Sequence, residues 1–225
     1  MNPRELVERA AGRARLLLAG RQARRHSLVG RPELWQLKRD FQISFLREHG
    51  LEPGHVLVDI GCGTLRGGIP IIEYLDAGSY VGIDVRSEAI EEARRELREH
   101  RLEHKRPLLI AAPSLVDVDV GRTADRLWAF SLLMHLDDGR LDECLDFARR
   151  HLAADGVFYA NVITADLAPA RWREFPVISR PVESYLELAR RAGLSARDIG
   201  ALDELGHVSG LAHHDEQRLL ELRRA

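Results

Sequence analysis

Val56-Leu57-Val58-Asp59-Ile60-Gly61-Cys62-Gly63-Thr64-Leu65-Arg66-Gly67-Gly68, residues 56–68, is the stretch whose reading decides the fold. Its first five residues form a short apolar run that stops at glycines, the pattern of a strand buried on both faces. Ile69 to Leu75 then reads as a helix, and Ser79-Tyr80-Val81-Gly82-Ile83-Asp84 as a second strand. Ser87 suits the N-cap of a helix from Glu88 to Glu99, whose acidic first turn complements the helix dipole. Further strands are predicted at 107–112, 126–131 and 157–162, with a helix over 138–152. A last helix at 182–192 precedes two C-terminal strand candidates near 196–202 and 217–222. Strand and helix alternating at this pace predicts a doubly wound α/β fold of parallel βαβ units with right-handed crossovers.

Upstream of this core, Leu34, Trp35, Leu37, Phe41, Ile43, Phe45 and Leu46 recur at roughly helical spacing. That helix stops at His49-Gly50, with Gly50 suited to the C′ position and Trp35 read as core. Residues 1–31 carry eight arginines against Glu5 and Glu8, which predicts a basic amphipathic helix. Such a helix covers the fold or contacts a second copy; contact with an acidic surface or anionic substrate is the other reading. His26 to Pro32 is a Gly/Pro-punctuated joint. The chain therefore divides into a helical extension over residues 1–50 and an α/β domain over 51–225. The loop from Ala165 to Arg180 is long enough to form a lid or a substrate wall.

Composition excludes several classes. Of 225 residues 45% are apolar, enough for a sizeable core rather than a disordered chain. A formal net charge of −2 argues against a general nucleic-acid coat. Cys62 and Cys144 stand far apart, without the spacing of a zinc site or a disulfide framework, so a reducing, cytoplasmic setting is expected. Leu16-Leu17-Leu18 is too short for a signal-peptide core, and no apolar run reaches the roughly 20 residues that span a bilayer.

The chemistry begins at the glycines. A glycine turn after the first strand lets backbone approach a ligand closely. An acidic residue about 20 positions further on, here Asp84, can accept hydrogen bonds from ribose hydroxyls. Together these features fit an adenosine-type ligand. A nicotinamide dinucleotide wants a third glycine where this chain has Arg66, and Asp59 would repel its pyrophosphate. S-adenosyl-L-methionine (SAM) carries no phosphate, and its ammonium and sulfonium welcome anionic neighbours. SAM is the expected cofactor.

Asp59-Ile60-Gly61-Cys62-Gly63-Thr64 with Gly82-Ile83-Asp84 one strand later resembles the class I SAM-dependent methyltransferases. Leu65-Arg66-Gly67-Gly68, Gln42 and Tyr80 to Asp84 are similar to a bacterial subgroup acting on small molecules. The resemblance covers about residues 50–225 and implies a seven-stranded, mostly parallel Rossmann-like sheet whose last strand is antiparallel. It also implies that Gly61 and Gly63 line the methionine and ribose portion, that Asp84 takes the ribose diol, and that Pro113, Ser114 and Leu115 lie near adenine. Asp59 and Gln42 join the expected cofactor residues. One departure is Leu65, which stands where the family's loop usually has its third glycine.

In that family the turn after the fourth strand faces the transferred methyl group. Here it reads Phe130-Ser131-Leu132-Leu133-Met134-His135-Leu136-Asp137-Asp138, without the Asn/Asp-Pro-Pro-aromatic sequence of exocyclic-nitrogen methylation. Ser131 is taken as a cofactor residue and His135 as the candidate general base, because imidazole titrates nearest neutrality; a packing or capping histidine is the alternative. Asp137 and Asp138 most simply supply negative charge at a helix N-terminus. His207, His213, His214 and Asp215 form a second cluster, read as a surface hairpin or pocket wall in preference to a metal site.

The expected function is O-methylation of a small hydroxylated molecule, a saccharide or natural product, with S-adenosylhomocysteine (SAH) as product. The low aromatic content, 6%, favours a polar acceptor. No divalent metal and no nucleic acid are favoured, and a homodimer is open. The rivals are a protein or nucleic-acid methyltransferase docking through the basic N-terminus, and a SAM-binding scaffold without turnover.

Overall fold

The computed structural model describes residues 20, 25, 28–165 and 170–225. Most of the arginine-rich segment read as an amphipathic helix lies outside the described residues, as does His26.

The apolar runs form a seven-stranded sheet. Its strands are β1 (Leu57–Ile60), β2 (Tyr80–Asp84), β3 (Leu108–Ala111), β4 (Ala124–Ala129), β5 (Leu152–Val162), β8 (Leu194–Ala201) and β9 (Arg218–Arg224). They lie in the order β3-β2-β1-β4-β5-β9-β8. β1 to β5 are mutually parallel, and β9 runs antiparallel to both β5 and β8. This is the Rossmann-like sheet with an antiparallel last strand that the resemblance implies. β1 lies inside the sheet between β2 and β4 with all four residues buried, which explains its unbroken apolar run. Strand order reverses between β1 and β4, so a crevice opens beyond their carboxyl ends.

Helices cover both faces: α1 (Trp35–Glu48), α2 (Gly68–Tyr74), α3 (Ser87–Glu99), α4 (Asp138–His151) and α5 (Val182–Arg191). Phe41, Phe45 and Leu46 of α1 pack in one cluster with Leu57, Trp128 and Tyr159 of the sheet. Phe45 lies 5.7 Å from the Trp128 ring and edge-on to Tyr159 at 5.2 Å. Trp35 is buried, in line with its reading as core. The opposite face packs Leu141, Cys144, Phe147 and Tyr185 against Leu127, Phe158 and Leu220. Gly50 has φ +81° beyond the α1 C-cap, the left-handed conformation a C′ glycine supplies.

Several boundaries differ from expectation for physical reasons. Ser87 is the first residue of α3, and Arg86 holds the N-cap with no side-chain cap bond. β4 stops at Ala129, not Ser131, because Ser131 takes φ +60° and turns the chain out of the strand. β5 starts at Leu152, which pairs with Ala124 before a bulge resets the register at Arg126. The stretch read as a C-terminal hairpin holds instead a one-turn helix, α6 (Ala212–Asp215), which brings the His213 and His214 rings within 4.3 Å rather than onto opposite faces. The described part of the expected lid loop forms a small hairpin, β6 (Ala170–Trp172) with β7 (Phe175–Val177). Among the described residues no helix is long and apolar enough to cross a membrane.

Candidate active site

The crevice at the strand reversal is a cavity of about 350 Å³, within the range of small-molecule pockets. Asp59, Gly61, Gly63, Gln42, Asp84, Ser114, Leu115, Ser131 and His135 all line it. Residues from five separate parts of the chain thus converge on one space.

The floor is the glycine turn after β1. Gly61 has φ +79° and Gly63 φ +56°. A Cβ on Gly63 would lie 2.6 Å from Val29 Cγ1, so only glycine fits between the turn and the segment above it. Leu65, the departure from the family loop, takes φ +63°, the left-handed conformation that glycine adopts without strain. Its side chain is 1% exposed, so the strain is held by core packing.

Two carboxylates flank this turn. Asp84 Oδ2 accepts the Gly63 N–H at 2.9 Å, and Oδ1 accepts the Arg86 N–H at 2.9 Å. Arg86 Nε approaches Oδ1 less closely, at 3.3 Å. A carboxylate offers about four acceptor positions, so Asp84 retains one on Oδ2 and holds another by that longer bond. Asp59 Oδ2 accepts from the Tyr80 hydroxyl at 2.7 Å. Burial pushes the Asp59 carboxyl up to about 7, against the opposing pull of that hydrogen bond and of Arg66. Burial likewise brings the Arg66 guanidinium down to about 10. Burial beside Asp59 and Asp84 holds the Cys62 thiol well above its ordinary value, which keeps it from acting as a nucleophile.

The roof comes from two segments. Arg66 Nη1 donates to the Val29 carbonyl at 2.8 Å, and Arg86 Nη1 to the Leu28 carbonyl at 2.8 Å, so two arginines hold the strand of chain before α1 over the glycine turn. The hairpin β6–β7 contributes Trp172, Phe175 and Pro176. The Arg86 guanidinium lies 5.5 Å from the Trp172 ring and 5.9 Å from that of Phe175. Low overall aromatic content concealed this concentration of rings, so it does not argue for a purely polar acceptor. Ser114 Oγ donates to Glu143 Oε2 at 2.8 Å on the wall beyond β3. The Gln42 head is engaged by protein: Oε1 accepts from Trp128 Nε1 at 2.9 Å and Nε2 donates to the Lys38 carbonyl at 2.8 Å.

Beyond β4, the Ser131 N–H donates to Asn161 Oδ1 at 2.6 Å, which secures the left-handed turn. His135 follows on a single 3₁₀ turn, Leu133–His135. Its Nδ1 lies 2.8 Å from the Pro176 carbonyl. A carbonyl only accepts, so Nδ1 carries the proton and Nε2 keeps the lone pair. Burial, with Lys38 and Arg86 nearby, lowers the imidazole pKa below its ordinary value, so the ring is neutral at pH 7 despite the Pro176 bond. Asp137 caps α4 by accepting the Arg140 N–H at 3.0 Å, and Asp138 pairs with Arg180 at 2.7 Å. Among the described residues no group of three or more histidine, cysteine or acidic side chains could hold a metal ion.

Sequence reasoning missed Lys38, Arg86, Trp172 and Phe175. A signal existed for Lys38, which interrupts the apolar stripe of α1 between Trp35 and Phe41. For Trp172 the signal was only the length of the 165–180 loop, because three-residue strands carry too little periodicity to single out a residue.

A cavity with a glycine floor, an acidic residue at the tip of β2 and a buried carboxyl at the tip of β1 suits a nucleoside with a cationic tail. Comparison with known proteins bears on this directly. The family described as "Methyltransferase domain" matches residues 58–158. No curated protein matches the sequence. Among solved structures, a SAM-dependent methyltransferase from Clostridium acetobutylicum ATCC 824 superposes with TM-score 0.63 at 14% identity, covering 85% of this chain and 92% of that one. Magnesium protoporphyrin IX methyltransferase from Synechocystis PCC 6803 with bound SAM gives TM-score 0.63 at 17% identity, over 86% and 80% of the two chains. The glycopeptide N-methyltransferase MtfA with sinefungin gives 0.64 at 11% identity, over 82% and 92%.

Proposed function

We propose that this chain, a SAM-dependent methyltransferase by its domain and its fold, methylates a hydroxyl group on a small molecule, with His135 as the general base. The observation that carries the reading is the pinned imidazole: His135 lines the cavity with Nδ1 committed to Pro176 and Nε2 left as a neutral acceptor. The cavity's volume of about 350 Å³ and the hairpin roof support a small acceptor over a protein or nucleic acid. Two of the structural relatives are named for porphyrin and glycopeptide substrates, which fits a small acceptor but does not separate oxygen from nitrogen attack.

The cavity residues fit the cofactor. Gly61 and Gly63 line the cavity with backbone, the one free acceptor position of Asp84 and the one held by the longer Arg86 bond suit ribose hydroxyls, and Asp59 with Arg66 suits an ammonium and a carboxylate. When bound, SAM supplies a methyl group on a cationic sulfonium that an attacking oxygen displaces to leave SAH. The protein's part is to hold the acceptor oxygen beside Ser131, exclude water under the β6–β7 hairpin, and receive the hydroxyl proton on His135 Nε2. Positioning carries most of the acceleration, with roughly 10²–10⁴ from the base. The test is His135→Asn in a methyl-transfer assay against hydroxylated acceptors, with SAH affinity measured alongside. A loss of at least tenfold in turnover with unchanged SAH affinity supports the assignment; a loss under threefold removes His135 from the reaction.

A further inference from the structure

α1 carries a lysine where packing calls for an apolar side chain. Trp35, Lys38, Gln42 and Phe45 recur three or four residues apart, Phe41 lies beside Gln42, and all are buried. Lys38 is 8% exposed. Its Nζ lies 3.4 Å from Ser131 Oγ and 5.7 Å from the centre of the Phe130 ring, two residues that line the active-site cavity. Among the described residues no carboxylate forms an ion pair with it, although buried charges are normally paired. Burial and the Arg66 charge bring the amine down to about 7.

The same corner holds two histidines in a similar condition. His207 is fully buried, edge-on to Phe41 at 5.3 Å and 6.1 Å from Phe130. Both its ring nitrogens lack a hydrogen-bond partner; Nδ1 comes within 3.5 Å of Asp215 Oδ1 without the alignment of a bond. Both ring nitrogens of His214 are also buried and unpartnered. Burial followed by the Lys38 charge lowers the pKa of each ring, which places the three groups within electrostatic reach of one another. Asp215, the carboxylate beside His207, already accepts the Ser209 and Gly210 N–H groups at 2.8 Å each. Buried donors in native proteins are satisfied by protein, water or ligand. Here the amine has one long bond, to Ser131 Oγ, and neither imidazole has a hydrogen-bonded partner.

We propose that Lys38, His207 and His214 form a subsite for a carboxylate carried by the acceptor, adjoining the methyl-transfer point at Ser131. The inference rests on the methyltransferase reading and narrows its substrate to a hydroxylated acid. A carboxylate entering past Ser131 supplies a partner for the imidazoles and the counter-charge that Lys38 lacks. It also explains why a lysine is kept in the apolar stripe of α1.

The test follows the Lys38 Nζ, His207 and His214 ring resonances by NMR in SAH-loaded protein during titration with acetate, with acetamide as the neutral isostere and inorganic phosphate as the competing oxyanion. Acetate is expected to shift all three signals saturably and about tenfold more tightly than phosphate, while acetamide leaves them in place. Lys38→Met, close in shape and without charge, should lose the response of both histidines and keep SAH affinity within twofold. The proposal is overturned if acetate moves none of the three signals, or if phosphate binds as tightly as acetate. It is equally overturned if Lys38→Met weakens SAH tenfold, because Lys38 then serves the cofactor's own carboxylate. Failure of the unmodified protein to bind SAH at all is a separate result, and it sinks the methyltransferase reading itself.

Discussion

Replacing Gly63 with alanine separates the two demands that the site places on its floor. Gly63 sits at φ +56°, and a Cβ there meets Val29 Cγ1 at 2.6 Å. Gly78 is the matched control, with φ +84° and no heavy atom within 4 Å of the added Cβ. Both substitutions carry the left-handed backbone penalty, about 1–2 kcal/mol. For a chain of this size that lowers Tm by roughly 2–8 °C. Only Gly63→Ala must also push Val29 back by about 1 Å to reach ordinary contact at 3.5–4.0 Å. Val29 is held there by Arg66 on its own carbonyl and Arg86 on that of Leu28. Loosening these bonds costs on the order of 1–3 kcal/mol, and the segment that moves is part of the cavity wall. SAH affinity measured by calorimetry should therefore fall roughly 5- to 150-fold in Gly63→Ala and stay unchanged in Gly78→Ala. Equal SAH affinity in the two variants, within twofold, refutes the claim that residues 28–30 and the glycine turn form one site.

Further expectations concern protons, the base and the core. Asp59 sits near 7 in the empty cavity; a ligand ammonium beside it favours the ionised form and lowers that value. SAH binding near pH 6.5 should then release protons, tighten as pH rises through 7, and lose both effects in Asp59→Asn, as read from calorimetry in buffers of different ionisation enthalpy. His135 must be neutral to accept a proton, and burial holds its pKa below the ordinary imidazole value, so turnover should fall on the acid side of neutrality, a limb that His135→Asn lacks. Gln42→Met strands the buried Trp128 indole N–H; thermal melts should show a loss of about 1–3 kcal/mol, and an unchanged Tm would show that the bond contributes nothing.

The central strands and the floor of the cavity were legible because their physics is local. A strand buried on both faces writes itself as Val56 to Ile60, and a backbone turn that tolerates no Cβ writes itself as Gly61 and Gly63. Asp84 follows from the length of one βαβ unit. The acceptor side was not legible, because it is assembled from pieces that are distant in sequence and weak in pattern. Lys38 comes from α1, Trp172 from a three-residue strand, and His207 and His214 from the connection between β8 and β9. The adjacent histidines invited a strand reading with opposed faces, and a single turn of helix put them side by side. Ser131 ended a strand early because a non-glycine left-handed residue has no sequence signature.

A carboxylate at the end of β2 that accepts hydrogen bonds from a ribose is the central requirement of the proposed cofactor site. Calorimetry of SAH against the unmodified protein and against Asp84→Ala measures this most directly. One site per chain in the unmodified protein, weakened at least thirtyfold in Asp84→Ala with the fold intact by circular dichroism, is the predicted result. Tight SAH binding that persists without the Asp84 carboxylate, or no binding to either protein, contradicts it.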